Sequence, residues 1–188
     1  MKDNKLIIIE GPQGTGKSTL ANYLRDTVAS SNLYRLSGQK DKTATGKEIS
    51  IKMYKALLDY LKTMQDVPMN MIFDRTFTTE EVYARLGYKD YSFTDAYIML
   101  SDILASLDYD INYFSLYLRN TNLFEERLDR GPHHQYQAFS VENSVNQQNK
   151  YLEISDELDQ YKSIKVHRIA MDNFDKSYDQ IEKILKLK

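Results

Sequence analysis

Gly11-Pro12-Gln13-Gly14-Thr15-Gly16-Lys17-Ser18 fits the pattern G-x-x-x-x-G-K-[ST]. The flanks suit it. Leu6 to Glu10 reads as a short buried strand that ends at Gly11, and Ser18 to Ala29 reads as a helix. Glycines in such a turn let the backbone curl until successive N–H groups point inward, and the helix that follows adds the positive end of its dipole. That concavity suits a polyphosphate. Gly11, Gln13, Gly14, Thr15, Gly16, Lys17, Ser18 and Thr19 therefore form the candidate triphosphate-binding set. Lys17 is placed to reach the terminal phosphates, and the Ser18 hydroxyl is a natural Mg²⁺ ligand.

Outward from this loop, strand-like and helix-like segments alternate. Asn32–Leu36 reads as a second strand, Gly38–Gly46 as a polar loop and Lys47–Met64 as a helix with Ile49, Met53, Ala56, Leu57, Tyr60, Leu61 and Met64 on its apolar stripe. Pro68 breaks the chain ahead of a strand at Met69–Phe73 that ends in Asp74. Helices follow at Thr78–Leu86 and Thr94–Leu107, then a strand at Ile111–Leu118. A charged helix at Asn122–Arg130 is broken by Gly131-Pro132. Ser140 is positioned to cap a further helix that extends to about Tyr161, and a strand at Ser163–Ile169 and a helix at Asp175–Leu187 complete the chain. Such alternation predicts an α/β fold of about five parallel strands with helices on both faces. No repeat or Pro/Gly-rich linker divides residues 1–188, which read as one domain.

Two further groups carry chemistry. Asp74 and Arg75 emerge at the end of a buried strand, and ligands of open α/β sheets bind outside such ends. Asp74 can hold Mg²⁺ through water or accept a proton from an acceptor. Arg75 can hold an acceptor phosphate or sugar hydroxyl. Arg127 and Arg130 lie three residues apart on one helical face, and Arg119 directly follows a strand. Phosphoryl transfer needs positive charge around the transferring group, and a closing segment also excludes water. Residues 119–139 are thus the expected helical lid. The His133-His134 pair reads as solvent-exposed, with no other metal-ligand type at useful spacing. Phe77 and Tyr83, with Tyr88 and Tyr91, are aromatic candidates to stack on a base, although each also suits core or rim.

Composition narrows the partners. In 188 residues the net charge is −2, against a broad basic face for nucleic acid. The absence of cysteine excludes disulfides and thiolate metal sites and suits a reducing, cytoplasmic setting. The N-terminal apolar run is too short for a signal-peptide core or a membrane span. A guanine-reading N-K-x-D pattern is missing, which argues against a switch GTPase.

With these residues in place, the chain resembles the thymidylate kinase and deoxynucleoside kinase group of P-loop kinases. Asp74-Arg75-Thr76 with the helix after it is similar to the D-R-[SY] segment of both families. Thr43 to Ile49 resembles the T-x-x-G-x-x-I stretch of thymidylate kinases, and Tyr151 to Ile154 the helix after their lid. Glu126 to Gly131 and Phe139 to Glu142 are similar to the lid and following helix of deoxynucleoside kinases. The overall style suggests a phage or prophage source. The resemblance implies a P-loop NTPase three-layer sandwich, ATP with Mg²⁺ as donor, and a deoxynucleoside or its monophosphate as acceptor. It implies that Arg75 contacts that acceptor and that Arg127 and Arg130 serve the phosphates. A homodimer through helices is the expected assembly.

The chain also departs from these families. Gln13 stands where thymidylate kinases carry Asp in the phosphate loop. Leu36-Ser37-Gly38-Gln39 lacks the Glu before Pro that both families place after the second strand, and Ser50 takes the place of an Arg. Two other readings follow: a kinase acting on a modified base or a hydroxyl within nucleic acid, and a nucleotide-binding module without transfer chemistry.

Overall fold

A computed structural model describes residues 4–128 and 140–187. Five strands, β1 (Lys5–Glu10), β2 (Ser31–Arg35), β3 (Asn70–Asp74), β4 (Asp110–Tyr117) and β5 (Ile164–Ala170), form one parallel sheet in the order β2-β3-β1-β4-β5. Among the described residues, seven helices connect and follow them: α1 (Lys17–Thr27), α2 (Ala44–Met64), α3 (Phe77–Arg85), α4 (Thr94–Ser106), α5 (Leu123–Leu128), α6 (Val141–Leu158) and α7 (Phe174–Leu185). This is the five-stranded, doubly covered sheet that the alternating pattern predicts.

Side-chain alternation along β1 explains the three layers. Leu6 and Ile8 point to one face, into a core with Tyr54 and Leu58 of α2, Val82 of α3, Leu100 of α4 and Ile154 of α6. Ile7 and Ile9 point to the other, among Leu20 and Leu24 of α1, Phe124 of α5 and Ile181 of α7. A central parallel strand buried on both faces must be apolar at every position. Each of these four side chains is essentially inaccessible, and burial on that scale stabilises by about 1.5–3 kcal/mol per side chain. Glu10 and Asp74, buried at the ends of β1 and β3, depart from this pattern and face the site; Asn112 and Ser115 of β4 are buried polar residues as well.

Helix starts follow local chemistry. Ser140 caps α6 by accepting a hydrogen bond from the Asn143 N–H at 3.0 Å, and Asn173 caps α7 through the Lys176 N–H at 3.0 Å. The stripe expected on α2 is a correction. The helix buries Gly46, Ser50, Tyr54, Leu58 and Leu61, while Ile49, Met53 and Tyr60 are exposed. Gly46 fixes this rotation. A Cβ there would stand 2.1 Å from the Asp41 carbonyl oxygen, so the glycine must face the preceding loop, and the face that carries Ser50, Tyr54, Leu58 and Leu61 turns inward with it. The helix also begins at Ala44, so the end of the expected Gly38–Gly46 loop belongs to it. Arg130, the His133-His134 pair and most of the expected lid lie outside the described residues. Among the described residues, no helix is long and apolar enough to cross a membrane.

Candidate functional site

The chain leaves β1 at Glu10, winds through Gly11–Gly16 and enters α1 at Lys17. Two glycines are dictated by space as well as by backbone angle. Gly11 has φ 142°, and a Cβ there would fall 2.5 Å from the Leu116 carbonyl oxygen. Gly16 has φ 88°, and its Cβ would fall 2.7 Å from the ring of Phe174. The loop is braced from inside: Thr15 Oγ1 and Lys17 Nζ both donate to the Pro12 carbonyl, at 2.8 and 2.7 Å.

Lys17 is only 5% exposed. Burial pushes its pKa well below the ordinary lysine value, and the nearby Arg75 charge pushes the same way, against Asp74 and Glu10. Gly16 is the N-cap of α1, so the helix has no side-chain cap, and it carries no acidic residue in its first turn. A desolvated ammonium beside uncapped helix N–H groups is an anion site by construction. Gln13, Gly14, Gly16, Lys17, Ser18 and Thr19 line an open groove of about 320 Å³ there, closed on its far side by Arg127 and Phe174.

Arg127 is fixed in three ways. Nη1 donates to the Gly14 carbonyl at 3.3 Å, Nη2 donates to the Met171 carbonyl at 2.9 Å, and the guanidinium lies 4.7 Å from the centroid of the Phe174 ring. Arg127, a candidate from the sequence, lies against the loop, while Phe174 carries no local sequence signal for its place there. Arg119 sits elsewhere: its backbone N–H donates to Asp172 Oδ2 at 3.0 Å, and a hydrogen bond with the Tyr117 hydroxyl raises its pKa.

Ser18 Oγ donates to Asp74 Oδ2 at 2.7 Å, so the loop and the end of β3 meet through one hydrogen bond. Arg35 adds a looser ion pair to the same oxygen at 3.7 Å. A hydroxyl and a carboxylate are hard oxygen donors, the type that Mg²⁺ takes while keeping water and phosphate ligands. The pair fits that ion. Among the described residues no cluster of three or more His, Cys, Asp or Glu could hold a metal by itself.

Arg75 follows Asp74 with φ 77°, a left-handed backbone that is uncommon outside glycine. Its N–H donates to the Ile9 carbonyl at 3.1 Å, and Nη1 donates to the Tyr151 hydroxyl at 3.2 Å. Burial would lower its pKa, but Tyr151, Tyr83, Glu10 and Asp74 outweigh burial and hold it above the ordinary arginine value.

Glu10 organises this corner, and the sequence reading passed over it as the end of an apolar run. It is completely buried. Oε1 accepts from the Thr76 N–H at 2.6 Å, Thr76 Oγ1 at 2.8 Å and Thr78 Oγ1 at 2.6 Å, and Oε2 accepts from Thr79 Oγ1 at 2.7 Å. Burial raises its pKa, opposed by these hydroxyl bonds and by Arg75. The available signal was a carboxylate directly after the apolar run Leu6–Ile9, together with three threonines at 76, 78 and 79.

The aromatic candidates divide. Tyr83 lines a second groove, of about 610 Å³, with Gly38, Gln39, Tyr88, Lys89 and Asn143. Phe77 is a correction. It is 1% exposed and packs edge-on against Tyr54 at 6.1 Å, inside the core, because the first turn of α3 faces the sheet and α2. It offers no face for a base.

No protein-family model and no curated protein matches this chain. Solved structures do. The deoxyadenosine kinase of M. mycoides with products dCMP and dCDP matches with a TM-score of 0.64 and 20% identity over 97% of this chain and 98% of that one. The thymidylate kinase of Candida albicans matches with a TM-score of 0.62 and 18% identity over 98% and 92%. At these identities the likeness establishes the fold: the chain has the α/β architecture of P-loop kinases.

Proposed function

We propose that this chain moves the γ-phosphoryl group of ATP onto a deoxynucleoside or deoxynucleoside monophosphate. The observation that carries this reading is the hydrogen bond from Ser18 to Asp74, which joins an anion-binding loop to the end of β3. The structural neighbours named above, a deoxynucleoside kinase and a nucleotide kinase, support it.

Lys17, the loop N–H groups and the start of α1 hold the donor phosphates. Gly11, Gln13, Gly14, Thr15, Gly16 and Thr19 shape that cradle. Mg²⁺, which Ser18 and Asp74 would hold, supplies neutralising charge on the phosphates when bound. Asp74 is also the first candidate to accept the acceptor's proton. That role is auxiliary, because phosphoryl transfer passes through a loose transition state in which positioning and charge dominate. Arg75, held by Tyr151 and the Glu10 corner, meets the acceptor, and Tyr83 forms part of its groove. Arg127, joined by Arg130, places positive charge over the transferring group.

The test is ATP consumption against a panel of deoxynucleosides and deoxynucleoside monophosphates, with Mg²⁺ and with EDTA. Turnover on at least one acceptor, abolished by EDTA, is the expected result. Arg127→Lys should lose roughly tenfold to a hundredfold in kcat/KM, because an ammonium cannot span the Gly14 and Met171 carbonyls as the guanidinium does. Clean ATP binding with no turnover on any acceptor would remove this reading and leave the nucleic-acid acceptor and the non-catalytic module.

The same reading carries a homodimer, for which Ile49 and Met53 on α2 and Ile98 and Met99 on α4 are exposed apolar side chains. Light scattering should give twice the 22.0 kDa chain mass. A monomer at micromolar concentration would refute this assembly.

A further inference from the structure

Asp74 ends β3 and Arg35 ends β2, and the parallel register sets the two residues opposite each other. Their side chains therefore leave the same face of the sheet, one strand spacing apart. Arg35 Nε lies 3.7 Å from Asp74 Oδ2, too far for a hydrogen bond, so this contact is electrostatic. Its Nη2 donates to Asn22 Oδ1, one turn beyond Ser18 on α1. Oδ2 is also the oxygen that accepts from Ser18 at 2.7 Å. One carboxylate oxygen thus faces both a candidate metal ligand and a cation that would repel a metal.

The formal charges here are out of balance for a divalent cation. Lys17, Arg75 and Arg35 stand around Asp74 and Glu10, three positive groups to two negative. A dication approaching this cluster alone meets repulsion, whereas a polyphosphate meets attraction. The three cations differ in freedom. Lys17 is buried against the Pro12 carbonyl, and Arg75 is tied to Ile9 and Tyr151. The Arg35 side chain is 52% exposed. Ion pairs that solvent reaches are weak, so Arg35 is the member that can yield Asp74 to another cation.

We propose that Arg35 competes with the metal for the Asp74 carboxylate, so that a divalent cation is taken up together with the polyphosphate and not ahead of it. The inference rests on the reading of Ser18 and Asp74 as the residues that hold the metal. With a triphosphate in the loop the charge balance reverses, and the cation then enters a negative site. The coupling is reciprocal: whatever the polyphosphate adds to metal affinity, the metal adds to polyphosphate affinity.

Mn²⁺, which takes the same hard oxygen ligands, serves as the probe. Its binding is followed by electron paramagnetic resonance, on the chain alone and with a non-hydrolysable ATP analogue, so turnover is not required. With Mn²⁺ alone, Arg35→Gln should bind roughly threefold to tenfold more tightly than wild type, the range expected on removing one half-exposed charge. Arg35→Lys keeps the charge and should stay within about twofold of wild type. With the analogue bound, the advantage of Arg35→Gln should shrink below about twofold. A half-exposed strand end tolerates these substitutions, so all three chains should fold. A gain below about threefold in Arg35→Gln overturns the inference. So does a comparable gain in Arg35→Lys, or an advantage that persists with the analogue. Asp74→Asn reports on the underlying reading and should weaken Mn²⁺ binding. If it does while Arg35→Gln changes nothing, the metal reading stands and the role of Arg35 falls. Mn²⁺ binding that is indifferent to Asp74→Asn, or undetectable in every chain, overturns both. ATP consumption is scored separately, and turnover with an unchanged Mn²⁺ ratio keeps the kinase and removes Arg35.

Discussion

On the proposed kinase reading, Lys17→Met is expected to lower ATP turnover by about 10³-fold while leaving the fold as stable as before, or more stable. Both effects have one origin. The Lys17 ammonium is buried against the Pro12 carbonyl, a neutral partner that does not return the solvation lost on burial. Methionine fills similar space without a charge, so folding gains what catalysis loses. The depressed lysine pKa adds a second signature. Between its folded value and the ordinary 10.5, the unfolded chain binds more protons than the folded one, so stability rises with pH through that window. Lys17→Met removes that contribution. Turnover assays paired with urea unfolding at several pH values above neutrality check both. A variant that is inactive because it is unfolded would contradict the explanation.

Glu10→Ala is expected to act in the opposite sense, on stability first. Three threonine hydroxyls and the Thr76 N–H converge on this carboxylate, and its removal strands them in the interior. Losing one partner of a buried charged network costs about 3–5 kcal/mol, or roughly 10 °C in Tm for a chain of this length. Arg75 should also lose its setting, so the KM for the acceptor rises further than that for ATP. Glu10→Gln separates charge from hydrogen bonding. Because burial raises the Glu10 pKa above its ordinary 4.5, the folded chain binds that proton more tightly than the unfolded chain. The stability this provides is complete below 4.5 and is lost as pH rises through the folded value. Gln has no such dependence. The advantage of wild type over Gln should therefore be larger near pH 4.5 than near pH 8, and denaturant titrations at the two values measure it. An advantage that grows with pH would show that the hydroxyl bonds, and not burial, govern this group.

Most of the fold was legible because its signals are local. Leu6–Ile9 is apolar at every position, as a strand buried on both sides must be, and Gly11 to Ser18 fixes the turn and the helix that follow. The Ser140 cap was readable for the same reason. The buried face of α2 was not, because Gly46 against Asp41 sets the helix rotation and no hydrophobic count includes a glycine. Phe77 was misplaced because an aromatic residue after Asp74-Arg75 suits a base and a core equally, and only packing against Tyr54 decides between them. The candidate site was readable where a short local motif supplies its members, as with Lys17-Ser18 and Asp74-Arg75. It was hidden where distant segments converge: Tyr151 reaches Arg75 from α6, and Phe174 reaches Gly16 from α7.

The pairing of β1 with β3 has a mechanical meaning. Ile9 lies opposite Asp74, and the Arg75 N–H extends the same ladder by bonding to the Ile9 carbonyl. The two strands from which the loop and the Asp74–Arg75 pair emerge are thus nearest neighbours in the sheet, separated by the strand spacing of about 4.8 Å. The sheet acts as a gauge block, fixing the offset between the two halves of the site independently of the segments around the grooves. Residues 36–43 and 83–89 can then drift toward a new ligand without resetting that offset. Recognition can evolve at the rim while the alignment at the strand ends is inherited unchanged.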